Sequence, residues 1–147
     1  MGGGPTPEWT PPPPAKLRAA PRQEALWAPS SNQVWRHSCC SRAALEDALG
    51  ADDVTAIEAD VVFSPARGAA VMAHPPRTDS DLTFVDFLDR CCAHPAATPK
   101  HLKLDFKEPR VVRECLRACA AAAPRLRHAG AALWLNADVL PGSRTRR

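Results

Sequence analysis

Short apolar runs of this chain end in charged or amide side chains, and this placement constrains the fold more than any other feature of the sequence. Residues 54–63 carry an acidic pair, and residues 70–74 close on a histidine. A third run ends in an acid and a lysine, and a fourth in an amide and an acid. The side chains are Glu58, Asp60, His74, Asp105, Lys107, Asn136 and Asp138. Charged groups are costly in a simple core, so their recurrence at strand ends indicates a site.

The runs alternate with segments of helical periodicity. Ser41 can cap a first helix that ends at Gly50, residues 79–81 offer capping oxygens to a second, and Pro109 suits the start of a third. The order is β, α, β, short β, α, β, α, β. Strands that alternate with helices predict an α/β fold with parallel strands and right-handed crossovers.

The first 32 of the 147 residues differ in composition from the rest. They are rich in proline and glycine, including the run at 11–14, and hold few aliphatic side chains. Such a segment buries too little apolar surface to offset its ordering entropy, so residues 1–32 are predicted to be a disordered leader. Residues 33–147, about 115 residues, are left for one domain.

Bulk properties exclude several classes of protein. The net charge is only +3, and the basic residues are scattered without aromatic interleaving, which argues against nucleic-acid binding. There is no apolar run of transmembrane length and no apolar region typical of a signal peptide. The six cysteines include no C-x-x-C pair, and three of them, Cys91, Cys115 and Cys119, fit buried helix stripes.

Strand alternation sorts the polar residues onto single faces. One face of each of three strands carries, in turn, Glu58 with Asp60, Lys103 with Asp105 and Lys107, and Trp134 with Asn136 and Asp138. In a (β/α) barrel the carboxyl ends of such strands converge on the active site.

The three carboxylates of Glu58, Asp60 and Asp105 would repel one another unless a cation lay between them. Oxygen ligands favour Mg²⁺ or Ca²⁺ over zinc. Two histidines, His37 and His74, would flank this cation and serve as general base and general acid. Lys107 and Asn136 would stabilise charge on a phosphate.

Each residue also has a simpler interpretation. Glu58 and Asp60 can be a solvated strand end, and His74 can be a histidine held before a turn. Lys103 can serve as a salt-bridge partner, and Trp134 as part of the core or of a pocket wall. The functional interpretation depends on the same placement recurring on consecutive strands.

The sequence resembles the menorin family domain through four motifs. These are residues 57–61 (IEADV), residues 72–81 with His74, residues 103–107 (KLDFK), and residues 134–142 (WLNADVLPG). They occur in the order of that family and extend from Trp35 to Gly142. The menorin domain is similar to the phospholipase C-like phosphodiesterase barrels, which include glycerophosphodiesterases and the sphingomyelinase D type of spider venom.

The resemblance implies the roles of most of the site residues. His37, His74 and Lys107 take catalytic places, and Glu58, Asp60 and Asp105 take metal places. Apart from the resemblance, the remaining polar residues of the same face are predicted to bind substrate, namely Lys103, Trp134, Asn136 and Asp138. The implied ligand is a small phosphodiester or lipid headgroup, cleaved with the help of a divalent cation. The alternative is a non-catalytic adhesion module that binds a protein partner. The family resemblance implies an extracellular protein, whereas a start at Met1 would imply a cytoplasmic one.

The chain is too short for the whole of such a barrel. A (β/α)8 barrel takes roughly 250 residues, and this sequence reaches only its fourth main strand. We therefore expect residues 33–147 to form the N-terminal half of a TIM-type barrel with parallel strands. The half barrel would be a fragment of a longer protein, and such a fragment can be inactive on its own. Alternatively, it would pair with a second copy of itself.

Overall fold

The computed structural model describes residues 33–94 and 99–137. The predicted leader at 1–32 and the candidate residue Asp138 lie outside the described residues. Eight elements follow in the predicted order: β1 (Trp35–Arg36), α1 (Arg42–Gly50), β2 (Ala56–Ser64), β3 (Ala69–Met72), α2 (Phe84–Ala93), β4 (His101–Phe106), α3 (Pro109–His128) and β5 (Leu133–Ala137). The domain is of the α/β class.

Four of the strands form a parallel sheet in the order β1-β2-β4-β5. The fifth strand, β3, pairs with β2 in the antiparallel sense, with Val61 opposite Met72. The expectation of parallel strands is therefore wrong for β3. The reason is the length of its connection, since residues 65–68 are far too few for a crossover and suit a hairpin, with Gly68 at a φ of 63° in the turn.

The helices cover one face of the sheet. The apolar residues of the two central strands share one buried cluster with residues from all three helices. From the strands it takes Ile57, Ala59, Val61, Leu102, Leu104 and Phe106, and from the helices it takes among others Leu45, Ala48, Phe84, Phe87, Val111 and Cys115. Since strand side chains alternate, the polar residues between them point to the opposite face.

The predicted N-terminal cap is present in one helix and absent from another. Ser41 caps α1 as predicted, and its hydroxyl accepts from the Ala44 amide at 3.2 Å. The predicted capping by residues 79–81 is wrong, because Thr83 caps α2 through the Asp86 amide. Those upstream residues have other partners: Asp79 accepts from Arg67 and Ser64, Ser80 donates to the Cys40 carbonyl, and Asp81 accepts from the Arg42 amide.

The start of β4 is held by a buried lysine that the sequence analysis did not single out. The ammonium of Lys100 donates to the carbonyl oxygens of Ala51 and Val54, each at 2.5 Å, and the residue is only 8% exposed. The connection between α1 and β2 is thereby fastened to the strand that enters beside it. These bonds support the register between β2 and β4.

All six cysteines are unpaired. Cys115 and Cys119 are buried in the helix layer as predicted, and Cys91 is half-buried. Burial raises the pKa of the Cys115 thiol to about 12 and that of Cys119 to about 11. These thiols are neutral at ordinary pH and act as small apolar side chains.

Candidate functional site

Three carboxylates meet on the face of the sheet opposite the helices. In the parallel register of β2 and β4, Asp60 lies beside Asp105, and Glu58 lies beside Lys103. Glu58, Asp60 and Asp105, here called the acidic cluster, are 9%, 3% and 8% exposed. Each offers an oxygen that lies within 4.8 Å of the others. The convergence expected from strand alternation is present, and the donor set of three carboxylates suits a hard cation.

The ammonium of Lys107 lies between two members of the acidic cluster. Its Nζ is 2.6 Å from Asp105 Oδ2 and 3.1 Å from Asp60 Oδ1. Asn136 donates from Nδ2 to the other oxygen of Asp105 at 2.9 Å. Lys107 and Asn136 thus contact the cluster that the sequence analysis placed beside them.

These contacts shift the titration of both partners. Burial alone would raise the pKa of Asp105, but the hydrogen bonds from Lys107 and Asn136 outweigh it and hold the pKa below its ordinary value. Desolvation would lower the pKa of Lys107, yet its bonds to Asp105 and Asp60 outweigh that effect and raise it. The pair is ionised throughout the neutral range.

The loop after β1 fastens onto Glu58. The amide of Ser38 donates to Glu58 Oε2 at 3.0 Å, and the amide of Cys39 donates to the Glu58 carbonyl at 3.0 Å. Ser38 reaches this position with a φ of 56°, which is uncommon for a residue with a side chain. The neighbouring His37 is exposed, with Nδ1 3.5 Å from Glu58 Oε2. His37 is therefore placed against the acidic cluster.

Cys40 contacts the site, although the sequence analysis gave it no role. Its Sγ lies 3.8 Å from Asp60 Oδ2 and 4.0 Å from the Asp60 carbonyl oxygen. Burial, with the negative charges nearby, raises the pKa of this thiol to about 11, so it is a neutral donor to Asp60. No local pattern of the sequence signals this contact, because it joins residues 20 positions apart.

His74 lies in the loop after β3, away from the strand ends that carry the other site residues. The Ala73 amide donates to the Asp60 carbonyl at 3.0 Å, which brings the end of β3 beside the acidic cluster. The His74 ring itself is exposed, with Nδ1 2.6 Å from the Pro75 carbonyl oxygen. Because a carbonyl only accepts, Nδ1 carries the proton, and in the neutral ring Nε2 has the free lone pair. His74 lines an open groove of about 510 Å³.

Lys103 and Trp134 lie level with Glu58 on the same face, two residues before Asp105 and Asn136 on their strands. Lys103 is half-buried between Glu58 and Trp134 in the strand register, and its charge helps to lower the pKa of Asp105. Trp134 is half-buried, with its ring centroid 5.6 Å from that of Trp35 and 5.5 Å from that of His101. Trp134 therefore belongs to an aromatic group with Trp35 and His101.

Comparison with known proteins identifies the family of this chain. Residues 30–147 match the sequence model of the Menorin N-terminal domain, which covers most of the chain. The chain belongs to the menorin family. The resemblance drawn from the motifs is thereby confirmed.

A menorin-family relative extends well beyond this chain. Protein FAM151B from Homo sapiens is 35% identical over 113 residues, which cover 74% of this chain. The chain spans 38% of the length of that protein. No solved structure matches the chain. Among the described residues, no helix has the length and apolar character needed to cross a membrane.

Removal of the Lys107 ammonium should destabilise the domain in a pH-dependent way. In Lys107→Met, buried Asp60 and Asp105 lose their positive partner, and we expect a loss of roughly 3 kcal/mol in the free energy of unfolding at pH 7. The wild-type pKa of Asp105 lies below 3.8, whereas in the variant burial should raise it above that value. The loss should therefore shrink as the pH falls towards 4.

Urea denaturation between pH 7 and pH 4 measures this effect. Lys103→Met is the matched control, because Lys103 lies on β4, four residues before Lys107, and has no ion pair in the described part of the chain. We expect the control to change stability by less than about 1 kcal/mol. Equal losses in the two variants, or a loss independent of pH, would contradict the role given to Lys107.

Proposed function

We propose that this menorin domain binds Mg²⁺ or Ca²⁺ at the acidic cluster and cleaves a phosphodiester there. The observation that carries the proposal is the approach of Glu58, Asp60 and Asp105 oxygens to within 4.8 Å of one another on a nearly buried surface. The cluster holds three carboxylates, and the Lys107 ammonium that bridges two of them neutralises only part of their charge. A divalent ion would neutralise the remaining negative charge. When bound, the cation would supply positive charge to a phosphate oxygen.

The chain's own residues would supply proton transfer and orientation. His74 holds its Nδ1 proton on the Pro75 carbonyl, so Nε2 is the atom that would accept a proton from an attacking hydroxyl. His37, oriented by Glu58 at 3.5 Å, would return a proton to the leaving oxygen. Lys107 and Asn136 would hold Asp105 in place and face the phosphate, while Lys103 and Trp134 would form the lower wall.

We also propose that the described strands are the first half of a TIM-type barrel. The parallel strands β1, β2, β4 and β5 are neighbours in the order of the chain, as the strands of a TIM-type barrel are. The outer strands are three positions apart, about 14 Å at ordinary strand spacing. The rings of Trp35 and Trp134 on those strands nevertheless approach to 5.6 Å, which suits a sheet that is concave on this face. The greater length of FAM151B leaves room for further strands in such a protein.

A second function is favoured by the position of Lys107. Its ammonium already neutralises part of the acidic cluster, so the carboxylates can persist without a cation. A domain of this kind would be a binding module, and its polar face would recognise a protein partner. The two functions differ in whether a cation binds and whether bound phosphodiester is turned over.

Cation binding tests the shared first step. Calorimetric titration of the wild type with Mg²⁺ and with Ca²⁺ should show one site for at least one ion, and Asp60→Asn should weaken it by roughly tenfold or more, because a charged ligand is lost. Asp53→Asn removes the same charge at an exposed position before β2 and should bind as the wild type does. Absence of binding by either ion, or equal binding by Asp60→Asn, would overturn the cation site.

Turnover separates the enzyme from the binding module. With the bound cation, the wild type should release 4-nitrophenolate from bis(4-nitrophenyl) phosphate, and His74→Ala should lower the rate by roughly 10²–10⁴-fold. His128→Ala, at the exposed end of α3, is the control and should keep the wild-type rate. A wild type that binds the cation yet releases no more product than His74→Ala would favour the binding module.

A further inference from the structure

The entry to β5 is fastened to the histidine that opens β4. The amide of Ala132 donates to Nδ1 of His101 at 3.0 Å, and the carbonyl of Ala132 accepts from the Leu102 amide at 2.9 Å. The backbone of His101 is itself held by the entry to β2, since its amide donates to the Thr55 carbonyl at 2.9 Å. The ring of Trp134 packs against the His101 ring, with the two centroids 5.5 Å apart. One imidazole therefore joins the start of β5 to the centre of the sheet.

The bond from Ala132 fixes the proton state of His101. A ring nitrogen that accepts from an N–H carries no hydrogen of its own, so Nδ1 has the lone pair and Nε2 has the proton in the neutral ring. In the imidazolium both nitrogens carry hydrogens, and neither can accept. Protonation of His101 therefore breaks the bond to Ala132 and leaves that amide without its acceptor.

The surroundings of the ring oppose its protonation. Burial lowers the pKa of His101 below its ordinary value of 6.5, and it is the only cause of that shift among the described residues. The charged or titratable groups on the adjoining elements therefore do not compensate for the burial. They are Arg36 and His37 at β1, Asp52, Asp53 and Glu58 before and on β2, and Lys100 and Lys103 on either side of His101 in the chain, whereas residues 131–137 contain none.

The strand that this bond fastens reaches the acidic cluster at its other end. In the described part of the chain β5 pairs with β4 alone, and Leu135 and Asn136 are exposed. The side chain of Asn136 donates to Asp105 at 2.9 Å. Loss of the bond at Ala132 would therefore favour local opening of the strand that carries this donor.

We propose that His101 is an acid-sensitive latch, which holds β5 while its ring is neutral and releases the strand when the ring is protonated. Release would free Asn136 from Asp105 and so open the acidic cluster on the side of β5. In the released strand the ring takes up a proton at its ordinary pKa, so β5 is fully held above pH 6.5 and loosens as the pH falls towards the lower pKa of the folded state. The latch goes beyond the proposed function, because it requires neither cation binding nor turnover.

Hydrogen exchange of backbone amides, followed by NMR in the 147-residue chain, tests the latch. Protection factors remove the intrinsic effect of pH on exchange. Between pH 7 and pH 5, those of the protected amides in residues 133–137 should fall by up to about tenfold per unit of pH below 6.5, because each protonation step favours the released strand. Those of β2 should fall less. At pH 7 the ring nitrogen shifts of His101 should show Nδ1 without a proton.

Two substitutions at His101 separate the latch from general sensitivity to acid. In His101→Asn the side-chain oxygen can replace Nδ1 as an acceptor that does not titrate, so β5 should stay protected between pH 7 and pH 5. In His101→Ala the acceptor is lost, and β5 should be roughly five- to tenfold less protected at both pH values. The control His128→Asn, at the exposed end of α3, should keep the pH dependence of the wild type.

Three results would contradict the latch. The first is a wild type whose β5 amides keep the same protection at pH 7 and pH 5. The second is a fall in His101→Asn equal to that of the wild type, which would assign the acid sensitivity to another group. The third is a proton on Nδ1 of His101 at pH 7. The asparagine variant keeps the acceptor, so it decides the question even where His101→Ala fails to fold.

Discussion

The parallel register between β2 and β4 is the constraint on which the site depends. It sets Asp60 beside Asp105 and Glu58 beside Lys103 on one face, while Ile57 and Leu104 turn to the helices on the other. A slip by one residue would exchange the faces, burying carboxylates among the helices and exposing the apolar side chains. The apolar core therefore determines where the carboxylates lie.

Charge balance on the polar face decides what the site can do. Lys107 joins Asp60 and Asp105 strongly enough to lower the pKa of Asp105 despite its burial. The same ammonium that stabilises the cluster also lies where an added cation would need room. A cation and Lys107 would thus compete for shared oxygens, so binding should move the lysine towards the face from which a phosphate would approach. The two proposed functions correspond to the two outcomes of this competition.

Much of this arrangement follows from local sequence pattern. Strand alternation predicted the shared face of Glu58, Asp60, Asp105 and Asn136, because a period of two assigns faces without knowledge of the partner strand. The cap at Ser41 was also predicted from local sequence, since its bond spans only three residues. Local features were thus largely accessible from the sequence, although the Thr83 cap of α2, whose bond also spans three residues, was missed.

Long-range contacts account for what the sequence did not predict. Residues 79–81 resemble a helix cap, but Asp79 is bound by Arg67 and Asp81 by the start of α1. The buried Lys100 and the contact of Cys40 with Asp60 also join distant segments. The antiparallel β3 is different, because the short connection at 65–68 already excludes a parallel crossover.

Anomalous scattering from a crystal grown with saturating Mn²⁺ tests the central claim most directly, because it locates both the ion and Lys107. We expect a single peak bound by oxygens of Glu58, Asp60 and Asp105, with the Lys107 ammonium displaced from Asp105. A map without a peak at these carboxylates, with Lys107 still bridging Asp60 and Asp105, would contradict it.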